Sequence, residues 1–282
     1  MARQECLTYE VEPHFRIVFH LSLSPSPSQE TTQGMSRFTT GLNPEQKAAV
    51  KATEGPLLVL AGAGTGKTRV ITHRIAYMLD RGVNPRSILA MTFTNKAASE
   101  MKARIGSLVS KKAAGDLTVG TFHSFCVKAL RRHAGKIGVR PNFGICNADD
   151  QLIAMKQVQR DLQLPDADFN PRIGLGQVSL LKNRLTGPEG LIKSDEAHET
   201  NLGHAYQRYD RALRASGLLD FDDLLIYTVR LLQDEALRAR FQKRFRYLLV
   251  DEYQDTNGPQ YEIVRLIGGE HRNVCVVGDD DQ

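Results

Sequence analysis

The sequence predicts an α/β fold built on a parallel sheet, and three observations carry that prediction. Short apolar runs of strand length recur with amphipathic stretches between them. One of them, Leu57-Leu58-Val59-Leu60, passes straight into a glycine-rich loop and then a helical pattern. Another, Tyr247-Leu248-Leu249-Val250, ends in two adjacent acids, Asp251 and Glu252, and strand ends are where parallel sheets gather their ligands. With 282 residues, 41% hydrophobic and 24% charged, the chain can bury one large core or two modest ones. No apolar run approaches the roughly 20 residues of a membrane helix.

Residues 1–36 read as a disordered lead-in, because Ser22 to Ser28 alternates serine and proline without helical or strand period. Glu5, Glu10 and Glu12 argue against an organelle-targeting peptide there, and Met35 offers an alternative start. Order begins at Leu42-Asn43-Pro44-Glu45-Gln46. Asn43 is placed to cap a helix, with Pro44 at its first position. Gln46 has two readings: it completes the capping interaction, or its carboxamide makes a bidentate contact to adenine.

The loop Ala61-Gly62-Ala63-Gly64-Thr65-Gly66-Lys67-Thr68, followed by Arg69, has the spacing of the phosphate-binding P-loop, with Ala61 where the strict pattern has glycine. Small residues let backbone N–H groups approach triphosphate oxygens, and the following helix turns its positive end toward them. Lys67 is placed to reach the β and γ phosphates, and the Thr68 hydroxyl to ligate Mg²⁺. Beyond it the pattern repeats: strand Ser87–Phe93, helix Thr94–Leu108, strand Leu117–Thr121, then a basic helix. Lys102, Arg104, Lys111, Lys112, Lys128, Arg131, Arg132, Lys136 and Arg140 stand against one acid, Asp116. A solvated helix face is the plain reading of that run; a polyanion surface, in keeping with a net charge of +5, is the other.

From residue 126 to 214 helical segments alternate with Pro/Gly loops, which predicts a helical subdomain inserted between 37–125 and 215–282 of the α/β domain. The sheet resumes at Arg246–Glu252 and again at Asn273–Asp279, and the sequence stops at Gln282, which reads as a truncated domain. Asp251 is expected to hold Mg²⁺ beside Thr68, Glu252 to orient and deprotonate the attacking water, and Gln282 to hydrogen-bond the γ-phosphate. Cys6, Cys126, Cys146 and Cys275 are too scattered for a zinc site and suit a reducing compartment.

Asn43-Pro44-Glu45-Gln46, the AGAGTGKT loop, Thr92 to Ala98, Gly120 to Ser124, Phe221 to Leu225, Asp251 to Asp255 and Gly278 to Gln282 occur in the order of the UvrD/Rep family of superfamily 1 DNA helicases. The chain resembles that family from about Phe38 to Gln282. The resemblance implies a RecA-like P-loop NTPase domain with a helical insertion, ATP and Mg²⁺ as ligands, and 3′ to 5′ movement on single-stranded DNA. It also implies DNA junctions as partners, an intracellular place (cytoplasm and nucleoid, or nucleus), and a second motor domain beyond residue 282 supplying catalytic arginines. By position, Gln46 resembles the adenine reader. Thr92, Phe93, Asn95, Thr121, Phe122, His123 and Ser124 resemble single-strand contacts, since aromatic faces stack bases and small polar groups bond phosphates. Against these stand a capping role for His123, core packing for Phe93, and a plain helix N-terminus at Phe221 to Leu225. A helicase–nuclease subunit, a nucleotide-gated single-strand binder and a small-molecule kinase are the competing functions.

Overall fold

The computed structural model describes residues 17–21, 37–62 and 64–279. The disorder expected for residues 1–36 falls outside the described residues except at Ile17–Leu21, where a strand corrects it. The run Ile-Val-Phe-His-Leu is strand-like in composition but too short to show a period of its own. The strands are β1 (Ile17–Leu21), β2 (Leu57–Ala61), β3 (Ile88–Thr92), β4 (Thr118–Thr121), β5 (Gly144–Ile145), β6 (Leu218–Leu219), β7 (Tyr247–Val250) and β8 (Val274–Gly278). Two compact units result. One comprises Met1–Thr121, Arg240–Asp255 and Ile267–Gln282, and the other Phe122–Ala239 with Thr256–Leu266.

In the first unit the sheet runs β1-β2-β8-β7-β3-β4 with every neighbouring pair parallel, the parallel α/β sheet that the sequence predicts. Its helices include α1 (Pro44–Lys51), α2 (Lys67–Asp80), α3 (Asn95–Leu108) and α4 (Lys111–Asp116). Leu57, Val59, Ile88, Ala90, Leu249, Cys275 and Val277 form one core with Val70, Ile71 and Ile75 of α2 and Met101 and Ile105 of α3. Their alternate neighbours Leu89, Met91, Leu248, Val250 and Val276 are buried as well. A parallel sheet covered on both faces requires that, and it explains why these strands read as continuous apolar runs. Asn43 caps α1 as a full capping box with Gln46, and the Thr94 hydroxyl accepts from the Ala97 N–H to cap α3. Each cap contributes about 1 kcal/mol.

The strand order sets which strand ends meet. The chain leaves β2 through α2 and returns in β3, with two places left open between them. The late strands β7 and β8 fill that gap, so the carboxyl ends of β2, β8 and β7 lie side by side.

The second unit is helical: α5 (Phe122–His133), α6 (Ala148–Asp161), α7 (Pro171–Asn183), α8 (Glu189–Ile192), α9 (Ala197–Ser216) and α10 (Phe221–Gln233). Helix α11 (Glu235–Arg244) leads back to the first unit, and α12 (Gly258–Gly268) supplies the segment after Asp255. Met155, Val158, Phe169, Val178, Leu202, Ala205, Tyr206, Tyr209 and Leu213 form its core. The short parallel pair β5–β6 also lies here, too brief for sequence periodicity to show. Lys182, 1% exposed, is enclosed by Asp210 at 3.1 Å, Asp220 at 2.8 Å and Asp223 at 2.7 Å. Asp220 and Asp223 also form the capping box of α10, so Phe221 to Leu225 is a helix N-terminus whose acids are tied to a buried lysine.

Candidate active site

The site grows from the end of β2. Gly64 (φ 78°) and Gly66 (φ 92°) take the left-handed backbone that glycine adopts without steric cost. Gly66 occupies the N-cap of α2 and offers no side chain, so no side-chain hydrogen bond caps that helix. Its first N–H groups are the kind that bind anions. The Thr65 hydroxyl donates to the Gly62 carbonyl at 2.7 Å, which closes the turn. Gln46 braces it from outside: its Nε2 donates to the Thr65 carbonyl at 2.9 Å while its Oε1 accepts from the Asn43 N–H at 3.1 Å. Two of the four hydrogen bonds a carboxamide can make are thereby used. Ala63 and Gln282 lie outside the described residues, and Arg69 is exposed on the first turn of α2.

The tips of β7 and β8 close on this loop. The Thr68 hydroxyl donates to Asp251 Oδ2 at 3.3 Å. Lys67 Nζ lies 3.2 Å from Glu252 Oε2 and 3.0 Å from Asp279 Oδ2. Asp251 is 3% exposed and Asp279 5%, so two of the three acids meet the lysine and threonine away from bulk water. Glu252 holds a left-handed backbone (φ 51°), a conformation costing about 1 kcal/mol or more in a residue with a side chain. Its N–H donates to Asp251 Oδ1 at 3.1 Å. Gln254 donates to Glu252 Oε2 at 2.8 Å and accepts from the Asp279 N–H at 3.0 Å.

The electrostatics follow from the charge count. Burial works against the Lys67 ammonium, but hydrogen bonds and attraction from Asp279 and Glu252 outweigh it, and its pKa is raised. Burial, reinforced by the Glu252 carboxylate, raises Asp251. Three acids against one lysine leave an excess of negative charge beside a hydroxyl. A divalent cation suits that donor set: Mg²⁺ takes one or two carboxylates and completes its shell from water and phosphates. Among the described residues no cage of three or more His, Cys, Asp or Glu is present.

Asp279 and Gln254 are functional-site residues that sequence reasoning missed. Asp279 stands first in a run of three acids, and nothing in the sequence says which of the three faces the loop. Gln254 follows the acids by two residues, and only the turn Tyr253–Asp255 brings its amide back over them.

The residues expected to contact DNA are distributed over both units. In the first, Thr92 and Thr121 are buried (1% and 6% exposed), Phe93 is half-buried and Asn95 exposed. In the second, Phe122 is 1% exposed and belongs to the interior, while His123 and Ser124 are half-buried. As they stand, Thr92, Thr121 and Phe122 expose almost no surface to a ligand. Strand β4 ends at Thr121 and α5 begins at Phe122, so strand and helix packing turns these side chains inward. The His123 ring meets Phe221 edge-on at 5.5 Å, and burial lowers its pKa despite Asp222. The basic residues between 102 and 140 are exposed or half-buried, but Arg131 donates to the Pro141 carbonyl at 2.8 Å and Arg140 to the Ala215 carbonyl at 3.0 Å.

Residues 42–282 match the family model of the UvrD/REP helicase N-terminal domain. The ATP-dependent DNA helicase PcrA of Staphylococcus epidermidis is 47% identical over 252 residues, which is 88% of this chain and 34% of that protein. The ATP-dependent DNA helicase PcrA of Staphylococcus aureus is 46% identical over the same length. The chain thus spans about a third of these relatives.

Proposed function

We propose that this chain, which belongs to the UvrD/REP helicase family, is the ATP-binding motor part of an ATP-dependent 3′–5′ DNA helicase that tracks single-stranded DNA. One observation supports the reading above the others: Lys67 and Thr68, at the start of α2, share hydrogen bonds and ion pairs with Asp251, Glu252 and Asp279 at two other strand ends. Glycine conformations and an uncapped helix start place anion donors beside a carboxylate cluster, the two halves a magnesium–triphosphate needs.

In this reading the loop N–H groups between Gly62 and Thr68 hold the phosphate oxygens, Lys67 neutralises the β and γ phosphates, and Gln46 contacts adenine through its two unused hydrogen bonds. Thr68 and Asp251 hold the magnesium ion, which when bound neutralises charge developing on the phosphoryl oxygens. Glu252 orients the attacking water and takes its proton, and Gln282 hydrogen-bonds the γ-phosphate. Contacts with single-stranded DNA are assigned to Phe93 and Asn95 in the first unit and, separately, to His123 and Ser124 in the second, with the exposed lysines and arginines near each in sequence; junctions are included among the substrates. The relatives' additional length is the source we assign to a second motor domain and its arginines, without which hydrolysis by residues 1–282 is slow. We place the activity inside the cell, in the cytoplasm and nucleoid or in the nucleus.

Titration with a fluorescent ATP analogue and Mg²⁺ tests the reading. The wild type is expected to bind, and Lys67→Ala to bind at least about tenfold more weakly, the loss of a charge-assisted contact. Equal affinity in the two proteins would remove the nucleotide site and the motor with it.

A further inference from the structure

We infer that Gln254 is a positioning residue for the hydrolytic step, holding the Glu252 carboxylate in place while tying it to the tip of β8. The inference rests on the proposed function, in which Glu252 takes the proton from water.

Both ends of the Gln254 amide are committed. Nε2 donates to Glu252 Oε2 at 2.8 Å, and Oε1 accepts from the Asp279 N–H at 3.0 Å. A backbone N–H can only donate and an ionised carboxylate only accept, so the chemistry of the partners fixes which end is which. Space is reserved for it too. A Cβ built on Gly278 would lie 3.2 Å from Gln254 Oε1, closer than such contacts normally come.

Glu252 needs an external hold. Its side chain is 38% exposed, its backbone is in the left-handed region, and its carboxylate pairs with the Lys67 ammonium at 3.2 Å. An ammonium assigned to phosphate oxygens is an inconstant anchor for a carboxylate. A neutral carboxamide gripping a backbone N–H on the neighbouring strand end is a constant one. Misplacing a reacting group by about an ångström costs on the order of 100-fold in rate.

The test compares wild type, Gln254→Leu, Gln254→Glu and Glu252→Gln in the full chain. It reads single-turnover hydrolysis of radiolabelled Mg-ATP, equilibrium affinity for a fluorescent ATP analogue, and NMR hydrogen exchange at the Asp279 amide. Gln254→Leu is expected to slow hydrolysis about 10- to 100-fold, leave affinity within about threefold, and speed exchange at Asp279. Gln254→Glu keeps the acceptor and loses the donor, so exchange should stay near wild type while hydrolysis falls as far. Hydrolysis within twofold of wild type in Gln254→Leu, with Glu252→Gln inactive, would overturn the inference alone. So would affinity falling in step with rate, the mark of a structural role, or a loss confined to Gln254→Glu, the mark of charge repulsion. Full activity in Glu252→Gln would overturn the reading of Glu252 itself and this inference with it.

Discussion

Lys67 Nζ lies 3.0 Å from Asp279 Oδ2, an ion pair that joins the first residue of α2 to the residue immediately after β8. It closes the phosphate loop against a strand end made late in the chain, and its carboxylate side is almost fully shielded, with 1% of the side chain exposed.

Asp279→Asn should therefore lower stability by about 1–3 kcal/mol, because a buried donor loses a charged acceptor. Denaturant unfolding at fixed pH reads this. The Lys67 pKa is raised, so the stabilisation is complete below the ordinary lysine value and is lost only as pH rises through the raised one. The gap between wild type and variant should stay constant from neutral pH to about 9, and a gap already closing near pH 7 would contradict the assignment.

Gly66→Ala puts a side chain on a backbone at φ 92°, and its Cβ would lie 3.1 Å from Gln46 Nε2. A cost of about 1–2 kcal/mol is expected from the left-handed conformation, together with weaker nucleotide binding as the loop opens. Thermal unfolding and analogue titration measure the two effects, and unchanged values in both would show that the turn tolerates a side chain.

In the helical unit, burial pushes Asp223 up to about 7; Lys182 opposes the shift, and Asp220 and Asp210 add to it. A carboxyl with a raised folded pKa keeps its proton longer when folded, so unfolding releases it. Its contribution to stability falls as pH rises from the ordinary 3.8 to about 7 and is flat above. Asp223→Asn, measured by thermal melts across that window, should make this downward slope shallower, with the raised carboxyl of neighbouring Asp210 keeping part of it, while its overall stability drops through the lost Lys182 contact. An unaltered slope would assign the titration to another group.

Phe93→Ala should weaken binding of a labelled single-stranded oligonucleotide by about 1–3 kcal/mol, the value of one base–aromatic stack, with little change in melting temperature. Phe122→Ala, in the interior, should instead cost about 3–5 kcal/mol of stability. The reverse pattern would exchange the two assignments.

Much of the fold is legible in the sequence. β2, β3, β7 and β8 announce themselves because strands buried on both faces are continuous apolar runs, and Asn43 announces its helix by cap chemistry. What escaped has a common cause. Asp279, Gln254 and the Lys182 cluster act through partners on other elements, and periodicity reports only how a residue relates to its own element. Burial at Thr92, Thr121 and Phe122 escaped for a similar reason, since a motif position says which residue is present and not which way it points. β1, β5 and β6 are too short for any period to register.

The strand order carries a consequence for biosynthesis. β2 and β3 emerge from the ribosome early, yet each must leave one lateral side unsatisfied until β8 and β7 follow, after the whole helical stretch has been translated. Non-local pairing of this kind is slow, and unsatisfied strand edges attract other chains. A nascent polypeptide stalled anywhere between residues 122 and 246 should therefore occupy chaperones and aggregate when they are withheld, whereas one released after β8 should not.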